Sequence, residues 1–246
     1  MIAYDETESE RLIRDLKVDP TSFRKRESGG ALDLLAQFHR GLPLRLLHEL
    51  LAINNDDLLS SAVFIMSELA SGVEEFVDEA IRLSDHPNPR IRHATDEILV
   101  RATSRTRYGE FMHVMKHVED PHPFSRKMAI CYFAKATSRQ LSCAAGAWEH
   151  SGAIKARTHI NAVRLALADP CVETESLANM IRGQDRLETY YGLGIAARNL
   201  WTTPNCARVL AGIEDAELSQ VAAALVDWVR PREPSRPGSP GSDQTA

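Results

Sequence analysis

Pro89 and Pro123 stand 34 positions apart, each directly after a polar residue and each opening a stretch with helical spacing of apolar groups. A proline suits the first position of a helix, where its missing N–H is not needed and its fixed φ is already helical, and Asn88 before Pro89 can accept from the first turn. Arg92 and Arg126, three residues into each stretch, keep the same separation. A degenerate third copy follows in "EHSGAIKARTHINAVRLALA", where Arg157 is 31 positions beyond Arg126 and Gly152 with Ala153 replaces the proline turn. A weaker fourth begins in "GQDRLETYYGLGIAARNL". Units of this length, each with two helices, predict an all-α solenoid, because one helix pair cannot bury its apolar face alone and must stack on its neighbours.

The rest of the chain agrees. Aromatic residues make up 6%, and β-branched residues do not alternate with polar ones, so strands are not expected. In "GEFMHVMKHVED", Phe111, Val114, Met115 and Val118 fall at i, i+3, i+4 and i+7, leaving His113, Lys116 and His117 on the polar side. Helical spacing predicts further helices over 6–18, 32–40, 43–53, 57–70, 73–83, 89–102, 123–136, 139–148, 154–168, 173–182, 187–200 and 216–229. The stretch "DDLLSSAVFIMSELASG" is apolar on most faces and should be covered on both sides; Glu68 in its last turn either faces solvent or pairs with Arg92 or Arg101.

The segment "DPHPFSRKMA", Asp120 to Ala129, resembles a HEAT repeat: an Asp-Pro turn, then an Arg and a small apolar residue on the first helix of a pair. Ser125 stands where an apolar residue is usual, and in "HPNPRIRHA" Asp85 lies one residue early. The likeness runs from Leu42 to Leu200 and implies a right-handed α-α superhelix of about five helix pairs. It also implies a ladder of Asp and Arg between successive repeats, with Arg92, Asp120, Arg126 and Arg157 as rungs and no Asp near Ser151 for the last. The run ending in "SELA", followed by "HPNPRIRHATDEIL", is similar to small bacterial HEAT-like proteins, some of which sit beside toxin genes. That likeness implies an immunity-type protein that neutralises a toxin.

Residues 1–28 then form an N-terminal helical cap or extension, 29–230 the repeat array, and 231–246 a disordered Pro/Ser/Gly tail, since four prolines and no large apolar residue cannot offset the cost of ordering. With no run of about eighteen apolar residues, no membrane span is expected. The acidic first ten residues do not read as a secretory signal. Four scattered cysteines, Cys131, Cys143, Cys171 and Cys206, read as reduced thiols used as small core residues, which places the chain in the cytoplasm.

Thirty-four acidic against 29 basic residues argue against nucleic acid as a partner, since phosphate neutralisation dominates that binding. His113 and His117 have the i, i+4 spacing of two metal ligands, but Lys116 between them would repel a cation and the Glu of an HExxH motif is missing, so no metal site is expected. The "YGLGIAA" run follows no strand and reads as a close-packing helix rather than a nucleotide site, with Tyr190, Tyr191 and Trp201 as core or end aromatics. No cofactor and no catalytic residue emerge. The reading is a non-catalytic protein-binding module gripping another protein with its concave surface. That surface would be built from the second helices of the pairs: Glu75, Asp78, Glu79, Arg82, Tyr108, His113, Lys116 and His117. The alternatives are a HEAT-like DNA repair glycosylase and a regulatory scaffold subunit.

Overall fold

The computed structural model describes residues 4–25, 29–168, 174–200 and 204–230. Among them every regular element is helical: α1 (Glu6–Val18), α2 (Pro20–Lys25), α3 (Gly30–His39), α4 (Arg45–Leu51), α5 (Asp56–Glu68), α6 (Val77–Leu83), α7 (Pro89–Thr103), α8 (Phe111–Lys116), α9 (Pro123–Lys135), α10 (Ser138–Ser151), α11 (Ala156–Leu167), α12 (Thr174–Arg182), α13 (Arg186–Arg198), α14 (Pro204–Ala211) and α15 (Ala216–Val229). The all-α expectation is met. Residues 231–246, where a disordered tail was expected, and Cys171 and Trp201 lie outside the described residues. No helix among the described residues is long and apolar enough to cross a membrane.

Local chemistry sets the helix ends. Asn88 Oδ1 accepts from Arg90 N at 3.0 Å with Pro89 at the first helical position. Asn55, Asp185 and Asp215 cap α5, α13 and α15 through side-chain oxygens. Thr137 and Gln140 form a reciprocal capping box on α10, which satisfies two first-turn donors at once. The stretch expected as one helix over 73–83 opens instead as a 3₁₀ turn, Val73–Phe76, after Gly72 at φ 78, and α6 begins only at Val77. Gly72 takes the left-handed backbone that an L side chain resists.

α3, α5, α7 and α9 lie side by side, each packed on the next, so the 34-residue offset between Pro89 and Pro123 places their helices as neighbours. α4 packs on α5, α6 on α7, and α8 on both α7 and α9. Beyond α9 the order changes. Its main further neighbours are α13 and α15, whereas α10 packs on α8 and α11, and α11 on α13. One continuous apolar core runs through all of this, from Leu12 to Leu225. α1 joins it by burying Leu12 and Leu16 against α2 and α3, and Asp5 N donates to Gln37 Oε1 at 2.9 Å.

α13 is buried along nearly its whole length. A Cβ on Gly192 would come within 2.7 Å of Ile181 Cγ1, and one on Gly194 within 2.8 Å of Phe133 Cδ1, so the glycines permit close approach to α12 and α9. Tyr191 is a core residue, as expected, its hydroxyl donating to Met115 O at 3.2 Å. Cys131 and Cys206 are buried, but Cys143 is exposed on α10, which corrects its reading as a core residue. The helical spacing around it is amphipathic, and Cys143 falls on the outer face.

Candidate functional site

Of the four residues expected as rungs, Arg92 and Asp120 pair with each other. Arg92 grips Asp120 with two bonds, Nε to Oδ2 at 2.6 Å and Nη2 to Oδ1 at 2.7 Å, and its Nη1 donates to His86 O at 2.7 Å. Arg126 repeats the local half of this arrangement, Nη1 donating to Asp120 O at 2.8 Å. Its carboxylate partner is Glu217 of α15 at 2.6 Å, 91 residues away. Arg157 is exposed on α11 and forms no ion pair among the described residues, so the third rung is not made. The first repeat lacks an Asp in register because His86 occupies that place. Its Nδ1 accepts from Asn88 N at 3.1 Å, as Asp120 Oδ1 accepts from His122 N at 2.7 Å.

Behind the ladder sits a buried acid–imidazole pair. Asp96 of α7 is fully enclosed and bonded through Oδ1 to His117 Nδ1 at 2.7 Å. Burial pushes the Asp96 carboxyl up to about 6. Burial alone would lower His117, but the hydrogen bond to Asp96 and its charge outweigh it, and the net shift is upward. Asp120 shows the reverse balance: burial would raise it, while the Arg92 guanidinium and the His122 N–H hold it below its ordinary value. His117 was expected on the exposed partner-binding face. At 4% exposure it is a core residue, because the chain tightens into a 3₁₀ turn over His117–Glu119 and swings the imidazole toward α7. No group of three or more metal-ligating side chains converges among the described residues.

The other residues expected on that face do lie along the second helices, but their charges are largely engaged within the chain. Asp78 pairs with Arg107 at 2.7 Å, Lys116 with Asp85 at 2.6 Å, and Glu79 with His48 Nδ1 at 2.6 Å. Arg82 donates to Leu51 O at 3.1 Å, and Glu74 pairs with Arg105 at 2.9 Å. The Arg139 guanidinium lies 4.2 Å from the centre of the half-buried Tyr108 ring. His113 is half-buried, which lowers its proton affinity, and faces Glu110 at 3.5 Å. Glu75 is exposed with no ion pair among the described residues. Most links join residues about thirty positions apart, so this face ties neighbouring helices together and offers little unpaired charge.

A second surface, on the first helices, was not foreseen. Phe124 and Trp228 are 46% and 39% exposed, the exposed Phe, Tyr and Trp side chains among the described residues. Between them lie the buried Tyr132, 7% exposed, and the half-buried His93, linking the two open rings in a stripe across α15, α9 and α7 with ring centres 6.2 Å apart for Trp228–Tyr132, 6.3 Å for Tyr132–His93 and 4.9 Å for His93–Phe124. Lys135 Nζ lies 4.9 Å from the Trp228 ring centre and Lys127 Nζ 5.5 Å from that of Phe124. Glu97 sits in the stripe, accepting from Tyr132 OH at 3.4 Å with His93 Nε2 at 3.7 Å. Burial, and then the charge of exposed Glu68, raise its proton affinity. Glu68 therefore faces solvent, while Arg101 is held by the carbonyls of Ser67 and Leu69. The signal was present in the sequence: Phe124, Met128 and Tyr132, like His93 and Glu97, recur at four-residue steps on one helix face.

No protein-family model matches the chain. No curated protein matches it. Among solved structures, the crystal structure of an engineered protein aligns over 90% of this chain and 96% of its own, with 13% identity and a TM-score of 0.40.

Proposed function

We propose that the chain is a non-catalytic protein-binding module, built as a right-handed α-α superhelix of about five HEAT-like helix pairs. Its docking surface is the aromatic stripe of Trp228, Tyr132, His93 and Phe124 rather than the charged second-helix face. The likeness to small bacterial HEAT-like proteins beside toxin genes makes the partner a toxin that this chain neutralises in the cytoplasm. The carrying observation is the pair of open rings, Phe124 and Trp228, on adjacent parallel-running elements of one face. Two exposed aromatics held on a buried aromatic base and flanked by charge are what protein interfaces select, because they bury large area with few rotors to freeze. The side-by-side packing of α5, α7 and α9 supports the repeat architecture.

A carboxylate among rings, as Glu97 is here, also suits excision of a damaged base, which keeps the repair glycosylase as the rival. The test separates them. A photo-cross-linking amino acid at Phe124 is expected to give a discrete protein adduct in the native host, lost when Trp228 is changed to Ser; the same group at Arg157 should give none. Co-expression with a toxin encoded nearby should restore growth, and Phe124→Ser with Trp228→Ser should abolish the rescue. Salt-sensitive binding of damaged duplex DNA at micromolar chain, with release of the base, would overturn the proposal.

A further inference from the structure

The helices after α11 enclose a pocket that the docking surface does not use. It has a volume of about 730 Å³ and is lined by side chains of α12, α13, α14 and α15 and of the turns that join α12 to α13 and α14 to α15. Pockets of about 300–1,000 Å³ hold small organic molecules. Its floor is apolar: Ile181 and Leu218 are buried, and Val209 and Ile213 are half-buried. Its rim carries three guanidinium groups, those of Arg182 on α12, Arg186 on α13 and Arg208 on α14.

These cations differ from those of the second-helix face, which are engaged within the chain. Arg182 and Arg208 are exposed and form no ion pair among the described residues, and Arg186 reaches Asp215 Oδ2 only at 3.5 Å. Arg186 also holds the first position of α13, where a cation opposes the helix dipole. The acids lining the pocket are Glu214 and Asp215, two against three. Asp215 is further drawn to the end of α15, its Oδ1 accepting from Leu218 N at 2.9 Å. One positive charge is therefore left over above an apolar floor. That balance suits a ligand with a single negative charge on an apolar body, because guanidinium meets carboxylate through parallel charge-assisted bonds while the apolar part leaves water.

We propose that the pocket between α12, α13, α14 and α15 binds a small amphipathic monocarboxylate, its carboxylate among the three guanidinium groups and its hydrocarbon part on the apolar floor. The site shares no residue with the aromatic stripe and stands or falls apart from the docking reading.

The experiment uses the full chain with labelled isoleucine methyl groups and sodium decanoate as the probe. The Ile181 and Ile213 resonances, assigned by Ile181→Val and Ile213→Val, are expected to shift and to saturate at one decanoate per chain, while that of the fully exposed Ile154 stays in place. Arg182→Gln and Arg208→Gln change exposed side chains with no ion pair to lose, so the fold is retained. Each should weaken binding about tenfold, the worth of one charge-assisted hydrogen bond. Arg157→Gln, at an exposed cation elsewhere, should leave binding unchanged. Ala178→Phe fills the pocket with the arginines intact and should abolish binding at unchanged helical content; if that variant fails to fold, the two arginine variants decide the matter by themselves. Decylammonium and inorganic phosphate, at the same concentration, should move neither resonance. Unmoved Ile181 and Ile213 methyls, or binding indifferent to both arginine changes, overturns the proposal. So does decylammonium binding as well as decanoate, which would mean apolar attraction alone, or inorganic phosphate doing so, which would mean a charged surface alone.

Discussion

Arg92 and Arg126 begin as copies of one device and end differently. Each stands three residues after a helix-opening proline, and each Nη1 donates to the carbonyl six residues back, at 2.7 Å to His86 and 2.8 Å to Asp120. The local half is dictated by sequence within one turn. The carboxylate half depends on what packs next: for Arg92 it is Asp120 in the following unit, and for Arg126 it is Glu217, carried in by α15. After α9 the carboxylate comes from a helix distant in sequence, α15, which packs on α9. The two rungs differ in enclosure, Arg92 and Asp120 being 11% and 1% exposed in their side chains against 14% and 47% for Arg126 and Glu217.

That difference sets the largest predicted effect. Asp120→Ala leaves a guanidinium buried beside two carbonyls with no counter-ion, and should lower unfolding stability by about 3–5 kcal/mol. Glu217→Ala breaks a pair half open to water and should cost less than about 1 kcal/mol. Urea unfolding of the two variants measures both. Equal losses would break the comparison and show that α15 is an integral rung rather than a substitute.

The α13 helix, which packs beside α9 where the repeat lapses, tests the same boundary by packing. Gly194→Ala puts a methyl within 2.8 Å of the Phe133 ring, so α9 and α13 must separate or Phe133 must leave its rotamer. Overpacking of this kind costs about 1–3 kcal/mol. Thermal unfolding should show a clear drop; no drop would mean that the α9–α13 seam is loose enough to slide.

Legibility follows the same line. Asn88 with Pro89 announced the start of α7, and α1 and α15 begin and end where the periodic apolar groups do. Six-residue α2 and eight-residue α14 were not read. The Asp120 rung was readable because both partners belong to a 34-residue motif, whereas nothing local in "DAELSQ" marks Glu217 as a partner of Arg126. At the candidate surface, charge pattern identified residues on the correct helices but not their engagement, since Asp78, Glu79 and Lys116 find partners about thirty positions away. His117 was misplaced by a turn that tightens from α to 3₁₀. The aromatic stripe escaped notice because Tyr132 and Trp228, each read alone, pass for ordinary apolar positions.

The two buried carboxylates near the ladder offer a pH contrast. Asp120, held down by Arg92, adds stability that is present above the ordinary carboxylate range and lost as pH falls through its depressed value. Asp96 behaves oppositely. Its folded value of about 6 exceeds the ordinary 3.8, so its contribution is complete in acid and is lost as pH rises toward and through 6. His117, also raised, loses its contribution above its ordinary 6.5. Nearby Asp85 is depressed by Lys116 and sides with Asp120. Asp96→Asn keeps an oxygen for His117 but does not titrate. The stability of the unmodified chain relative to this variant should therefore fall by about 2 kcal/mol between pH 4 and 7. A gap that stays level, or widens, would show that Asp96 is ionised throughout.

The smallest effect has the opposite sign and isolates the cause of the second. Gly146, like Gly194, lies inside a helix, yet a Cβ there would meet nothing within 4 Å. Replacing a helix-interior glycine by alanine reduces backbone freedom in the unfolded chain and should stabilise by up to about 1 kcal/mol where no clash follows. Helix propensity is therefore common to Gly146→Ala and Gly194→Ala, and the difference between the two measured changes reports the packing of the added methyl against Phe133 and Ile130 of α9. A stabilised Gly146→Ala beside a destabilised Gly194→Ala assigns the glycines of α13 to close packing; two changes of the same sign would remove that role and, with it, the reason that α13 can sit against α9.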